Sequence, residues 1–161
     1  MRKHSLIFLL FVQMLFSFCS RQTEKDKLDK KVQIAVDSLS KEKLVLLDET
    51  SENRKFKALQ NIASNDDLVF LTEHDNALLR CYAFRGLAER NYSEIRELFH
   101  THLKDTATVT VHLSGTCTRV KMPVHGFMLD QLHPSAKCKY KLSRSEYDKY
   151  FDNAYKIKSS H

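Results

Sequence analysis

Apolar residues recur at helical spacing through most of the first hundred positions. They follow one another at steps of three and four, and the positions between them are polar or charged, which predicts helices with one buried face. These helices are expected within residues 24–47, 56–63, 68–71, 74–90 and 95–103. The first carries Leu28, Val32, Ala35 and Leu39, and the fourth carries Leu79, Tyr82, Ala83, Gly86 and Leu87.

Capping residues indicate where several of these helices begin. Ser64 with Asp67 offers an N-cap oxygen and a first-turn carboxylate to the helix at 68–71. Ser93 is expected to cap the helix that follows it. Ser143 and Glu146 form a capping box at the start of a C-terminal helix within residues 142–161, whose aromatic stripe is typical of a core face.

The periodicity changes after Thr106. Val109, Val111 and Leu113 alternate with polar residues, which predicts a strand, and a short second strand and a helical turn are expected within residues 118–132. We predict that residues 105–141 form an irregular segment with short β structure. It either closes the open end of the helical core or carries specific binding groups, as loops on a rigid scaffold often do.

Length and composition favour one mainly α domain. The chain has 161 residues, of which 42% are hydrophobic, and only three glycines and two prolines. Both prolines, Pro123 and Pro134, lie in the last quarter, so nothing earlier interrupts long helices. The formal charge is +6, but basic and acidic residues alternate along the chain, which argues against a nucleic-acid partner.

The first nineteen residues have the pattern of an export signal. Arg2 and Lys3 precede an apolar run from Leu6 to Phe16, which is shorter than a membrane span. The run ends in "LFSFCS", which resembles the lipobox of bacterial lipoproteins, although Phe18 stands where that pattern has a small residue. The resemblance implies acylation of Cys19 and attachment to a membrane; an ordinary signal peptide cleaved after Cys19 or Ser20 is the alternative.

A weak internal repeat runs through the helical region. "LVLLDE" (44–49) parallels "LVFLTE" (68–73), "FKAL" (56–59) parallels "FRGL" (84–87), and "EHDNALL" (73–79) parallels "LKDTATV" (103–109). Helix pairs that recur at this spacing are typical of α-solenoids. The unit at 68–88 resembles HEAT-like repeats, and an ordinary small helical bundle is the alternative.

The HEAT-like resemblance implies structural roles for three residues. Asp75 in the turn and Arg80 in the second helix match positions that hydrogen-bond along such arrays. The guanidinium of Arg80 could hold Asp75, Asp105 or carbonyls at helix ends. Gly86 fits a place where another helix crosses closely. The expected fold is a short HEAT-like α-solenoid fragment over residues 20–104, with the segments 105–141 and 142–161 in the same domain.

Candidate chemistry is sparse. Cys81 is expected to be a buried apolar residue, and Cys117 and Cys138 either form a disulfide or remain free thiols. Five histidines lie between residues 100 and 133, but they have no ligand spacing that predicts a metal site. The sequence contains no phosphate-binding loop, nucleophile elbow or zinc-protease motif. We expect neither a cofactor nor catalysis.

These observations predict an exported, lipid-anchored helical-repeat scaffold of the bacterial cell envelope, facing the periplasm or the cell exterior. Its expected partners are an envelope protein and, through the anchor, the membrane. The alternative is a small envelope hydrolase or metal-binding protein that uses the histidines of residues 100–133.

Overall fold

A computed structural model describes residues 28–46, 53–112 and 118–156 of the chain, with side chains to residue 152. The proposed signal peptide with Cys19, and also Cys117, lie outside these described residues. The described part is mainly helical and includes a small sheet of three strands. None of its helices is long and apolar enough to cross a bilayer.

The described residues form seven helices and three strands. In chain order they are α1 (Lys30–Leu39), β1 (Val45–Leu46), α2 (Arg54–Ile62), α3 (Asn65–Thr72), α4 (Ala77–Glu89), α5 (Ile95–Thr101), β2 (Thr108–His112), β3 (Arg119–Pro123), α6 (Val124–Gln131) and α7 (Arg144–Lys156).

Helix α4 lies at the centre of the core. Its residues 78–79 and 81–88 are all buried. Helix α3 packs along it, α6 packs on it as well, and α7 covers α6, while α1 packs mainly on α2. Since α4 is enclosed by its neighbours, any polar side chain on it must find partners within the protein.

An asparagine lies at each end of α4, one acting through its side chain and the other through its backbone. Asn76 caps the start by accepting a hydrogen bond from the Leu78 N–H at 2.9 Å. Asn91 follows the last turn with a φ of 56°, a conformation that asparagine tolerates better than most residues. The Asn91 and Tyr92 N–H groups donate to carbonyls of the last turn, which is the Schellman arrangement. The chain therefore reverses sharply after α4.

The sheet joins segments that are distant in the sequence. Its order is β1-β2-β3, with β1 parallel to β2 and β2 antiparallel to β3. Val45 aligns with Val111, and the chain between them forms α2 to α5. Val45, Val109, Val111 and Met122 are buried on the inner face of the sheet, which contributes to the same core as the helices.

Several predictions from the periodicity are confirmed. The apolar positions Leu28, Val32, Ala35 and Leu39 are buried, and the predicted strands occur as β2 and β3. Both capping boxes form, with the Ser64 hydroxyl accepting from the Asp67 N–H and the Ser143 hydroxyl accepting from the Glu146 N–H. In each box the carboxylate accepts from the N–H of the serine.

Three predictions need correction. The stretch 44–47 was expected to repeat the helical stretch 68–71, but Val45 and Leu46 form a strand, so these two similar stretches have different structures. Ser93 does not cap α5, whose N-cap is Glu94 without a side-chain hydrogen bond. The segment 105–141 is more regular than expected, because it contains two strands and the buried helix α6.

Gly86 lies where α3 crosses α4. A Cβ at this position would come within 3.1 Å of Leu68 Cδ1 and 3.7 Å of a Phe56 ring carbon. Leu68 is fully buried, so it has little room to move aside. The missing side chain therefore permits close approach of the two helices, which outweighs the cost of a glycine inside a helix.

We expect Gly86→Val to lower the free energy of unfolding by about 2 kcal/mol, because the larger side chain overpacks the crossing. Urea unfolding measures this loss. Leu68→Val shortens the opposing side chain and should relieve part of the overpacking. The double variant should therefore lose less free energy of unfolding than the two single variants lose in sum. Strict additivity, or an unchanged Gly86→Val variant, would contradict the role given to this glycine.

Candidate functional site

Three arginines follow one another at steps of five residues: Arg80 and Arg85 within α4, and Arg90 at its C-cap. A step of five turns a side chain by roughly 140° around the helix, so successive arginines point in different directions. Each of the three donates to backbone carbonyls of a different part of the chain. We call this set of residues the arginine clamp. Its contacts join α4 to several distant parts of the described chain, which makes it the first candidate for a functional site.

Arg80 connects α4 to the start of the sheet. Its Nε and Nη2 donate to the two carboxylate oxygens of Asp105, at 2.7 and 3.0 Å. Its Nη1 donates to the carbonyls of His74 and Asp75, at 2.7 and 3.0 Å. The partner of Arg80 in the Asp75 turn is therefore the backbone and not the carboxylate. Because all three nitrogens are in use, Arg80 has little capacity left to bind an external anion.

Arg85 and Tyr82 bind the outer edge of β1. The Nη1 of Arg85 donates to the Leu46 carbonyl at 2.8 Å, and the Tyr82 hydroxyl accepts from the Leu46 N–H at 3.3 Å. Arg85 also donates to Glu89 at 2.7 Å and lies over the ring of Phe56. Burial raises the pKa of Tyr82, so its hydroxyl stays protonated. The two backbone groups of Leu46 that face away from β2 are thus satisfied by α4.

Arg90 binds the end of helix α2. Its Nη2 donates to the carbonyls of Gln60 and Ala63, the latter at 2.9 Å, and its Nη1 donates to the Asn65 side chain at 3.0 Å. The last carbonyls of a helix have no partner within the helix. Arg90 supplies such partners and so fixes the short connection between α2 and α3.

A buried histidine lies beside the Arg80 contact. The side chain of His102 is only 7% exposed, and its Nε2 makes no hydrogen bond among the described residues, although Glu73 Oε1 is 3.2 Å away. Its Nδ1 lies 4.0 Å from Asp105 Oδ2. The Nδ1 of His125 lies 2.8 Å from the Asp105 carbonyl. Asp105 is therefore the point where Arg80 and two histidines meet.

The two thiols of the described residues are buried. Burial raises the pKa of Cys81, which lies next to Arg80 in the sequence, well above its ordinary range, and it raises the pKa of Cys138 as well. A thiol that stays protonated is a poor nucleophile and a poor metal ligand. Cys138 forms no disulfide with a described residue, and a bridge to Cys117 remains one of the two alternatives predicted from the sequence because Cys117 lies outside the described residues.

The remaining histidines of residues 100–133 do not join this cluster. His100 lies 3.0 Å from the Tyr150 hydroxyl, and His133 lies 2.6 Å from the Ser135 hydroxyl and packs edge-on against Tyr147. His112 lies on β2. Within the described part of the chain, no three histidine, cysteine or acidic side chains are arranged to hold a metal ion.

An open cavity of about 320 Å³ is lined by residues 42–46 and by the start of α2. The Lys55 ammonium and the Glu42 carboxylate form an ion pair of 2.5 Å at its wall. Leu46 and Asn53 in its lining flank residues 47–52, which the structure does not describe, so its shape assigns it no ligand. Its lining residues are Glu42, Leu44, Leu46, Asn53, Arg54 and Lys55.

Comparisons with known protein families, with curated proteins and with solved structures gave no match to this chain. The interpretation of the clamp therefore rests on its own geometry. Its arginines bind carbonyls and carboxylates of the same chain, and the neighbouring Cys81 thiol is buried with a raised pKa. This arrangement fits a structural centre that holds the helices and the sheet in fixed positions.

Part of the arginine clamp was predicted from the sequence. Asp105 and helix-end carbonyls were among the acceptors expected for Arg80, and Asp75 takes part through its carbonyl. The roles of Arg85 and Arg90 were missed. The regular five-residue spacing of the three arginines would have indicated these roles. In a mainly apolar helix this spacing points the cations in different directions, so each of them needs acceptors from a different neighbouring element.

We expect Arg80→Ala to lower the free energy of unfolding by about 1–3 kcal/mol, because it leaves the Asp105 carboxylate and two carbonyls without their donor. Thermal and urea unfolding measure the change. Arg144→Ala is the matched control, since Arg144 pairs with Asp148 at the surface, where the two side chains are 73% and 54% exposed. That loss should stay below about 0.5 kcal/mol. Equal losses of free energy of unfolding in Arg80→Ala and Arg144→Ala would contradict the structural role given to Arg80.

A second polar contact joins α6 to α7 and gives a pH-dependent test. The Tyr147 hydroxyl donates to Asp130 Oδ1 at 2.8 Å. Burial raises the pKa of Asp130, and the hydrogen bond from Tyr147 opposes this rise only in part. The folded state therefore binds a proton at Asp130 more readily than the unfolded state. The resulting stabilisation is present below the unfolded pKa and is lost as the pH rises through the folded pKa.

We expect Asp130→Asn to become more stable relative to the unmodified protein as the pH rises from about 4 to 7, because asparagine keeps an acceptor for Tyr147 and cannot ionise. The free energy of unfolding measured in urea at several pH values tests this. Asp148→Asn, at an exposed position, serves as the control. A difference between Asp130→Asn and the unmodified protein that is independent of pH would contradict the assignment.

Proposed function

We propose that this chain is an exported, lipid-anchored scaffold that binds a protein partner at the bacterial cell envelope and catalyses no reaction. The observation that carries the proposal is the arginine clamp, in which the strongest polar groups of the core bind the backbone of the same chain. Such contacts stabilise a rigid body, and a rigid body presents a fixed surface at low entropic cost of binding.

The HEAT-like interpretation of α3 and α4 is part of this proposal. Three features support it: the close crossing at Gly86, the backbone contact of Arg80 with the Asp75 turn, and the bond of Arg80 to Asp105 beyond the next helix. In HEAT-like arrays an aspartate and an arginine form comparable links between successive units. We propose one such unit, extended on its Asp105 side by a sheet.

The export and lipid anchor are proposed from the first nineteen residues. The basic start, the apolar run and Cys19 at its end support cleavage before Cys19 and acylation of its thiol and amine. Residues 20–27 would then connect the membrane to the buried Leu28 at the start of the domain, over a reach of at most about 29 Å. The envelope partner would meet the domain within that distance of the membrane.

We expect the mature protein to begin at Cys19 and to carry acyl groups, which mass spectrometry of the purified N-terminal peptide measures. Cys19→Ser should move the protein from the membrane fraction to the soluble fraction or leave its signal segment uncleaved. Cys81→Ser is the matched control and should leave fractionation unchanged, because Cys81 lies in the core. A mature N-terminus without acyl mass would overturn the anchor.

A further inference from the structure

The two edges of the sheet differ. On the β1 edge, both outward backbone groups of Leu46 are bound by side chains of α4, the Tyr82 hydroxyl and the Arg85 guanidinium. On the other edge lies β3, which pairs only with β2. An edge strand with free N–H and C=O groups is a template for another strand. Within the described part of the chain, the β1 edge is thus blocked by side chains of α4, whereas no strand pairs with the outer edge of β3.

The register shows which groups of β3 face outward. The Val124 N–H donates to the Ala107 carbonyl at 2.8 Å, just beyond the aligned pair Thr108 and Pro123. Since hydrogen-bonded pairs alternate in an antiparallel ladder, the bonds to β2 fall at Met122 and Val120. The N–H and C=O groups of Arg119 and Lys121 therefore point away from β2, and no described residue bonds to them. Pro123, also outward, lacks an N–H.

The side chains of β3 alternate in chemistry between its two faces. Arg119 and Lys121 are exposed on the outer face. Met122 is buried on the inner face, whereas Val120 is only half-buried and keeps apolar surface at the edge. A strand added beside β3 would place alternate side chains opposite the two cations and the others beside Val120 and the core. The matching strand has acidic residues that alternate with apolar residues.

We propose that β3 is a docking edge for an extended segment of a partner protein in which acidic residues alternate with apolar ones. The outward amides and carbonyls of Arg119 and Lys121 would form the ladder, and their side chains would pair with the carboxylates. The inference rests on the proposed function only in taking the partner to be a protein. It does not depend on the lipid anchor.

The same residues disfavour a second copy of this chain at β3. An antiparallel pair of two β3 strands would bring their cations together across the interface, and like charges opposite one another are destabilising. Basic residues on an edge strand are one way in which proteins prevent self-pairing. The charges therefore discriminate between partners: they repel another β3 and attract an acidic strand.

Fluorescence anisotropy with a labelled peptide tests the proposal. The probe is a six-residue stretch of glutamate alternating with valine, flanked by serines, and the comparison peptide has lysine in place of glutamate. We expect the acidic peptide to bind the purified protein and the basic peptide to bind at least tenfold more weakly. Arg119→Glu with Lys121→Glu should weaken acidic-peptide binding at least tenfold. Lys149→Glu, an exposed control on α7, should change it less than twofold.

Two further measurements separate strand addition from simple charge attraction. Lys121→Ala and Lys121→Pro both remove the cation, but only the proline also removes an outward N–H, and neither removes a bond to β2. The proline variant should therefore bind the acidic peptide more weakly than the alanine variant, while circular dichroism shows an intact fold in both. Amide exchange at Arg119 and Lys121, followed by NMR in the unmodified protein, should slow when the acidic peptide is bound. Binding without slower exchange at these amides would overturn the proposal. So would peptide-independent dimerisation that is lost in the double-glutamate variant.

The outcome is independent of the test at Cys19. Peptide binding at β3 by a protein without acyl groups would leave the docking edge standing and overturn the envelope anchor. An acylated protein that does not bind the acidic peptide would keep the anchor and overturn the docking edge.

Discussion

The fold depends on one constraint: helix α4 is enclosed by other elements, and the helix together with its C-cap still carries three guanidinium groups. An enclosed cation without acceptors would cost several kcal/mol, so the neighbouring elements must place oxygens where α4 needs them. They do so mostly with backbone carbonyls, from the turn before α4, from β1 and from the end of α2. A backbone carbonyl moves only together with its chain segment. Each of these contacts therefore fixes the position of a segment relative to α4, and not only that of a side chain.

The same contacts explain how the two-residue strand β1 is held in the sheet. A strand of two residues is too short to be stable alone, and β1 is held on one side by β2 and on the other by Tyr82 and Arg85. The sheet is thus supported by α4 at one edge and by the hairpin of β2 and β3 at the other. The helical and β parts form one core, in agreement with the shared set of buried residues.

Much of the fold was predictable from the sequence, for identifiable reasons. Helices with a single buried face, such as α1, and the alternating strand β2 have periodicities that local sequence reveals. β1 was missed because two residues cannot show an alternation, and because its partner lies beyond four helices. Arg85 was missed because Arg85 and Glu89, four residues apart, resemble an ordinary surface pair. The candidate site was predictable only at Arg80, whose acceptors lie in the turn before α4 and at Asp105 after α5.

The parallel pairing of β1 with β2 has a consequence for the order in which the chain folds. Contacts within the α3–α4 hairpin close short loops, whereas the pairing of Val45 with Val111 must wait for the whole stretch of helices between them to be arranged. The two-residue strand would then join last, onto a surface already prepared by the hydroxyl of Tyr82 and the guanidinium of Arg85. Its release would open the segment between α1 and α2 and leave the central helix in place.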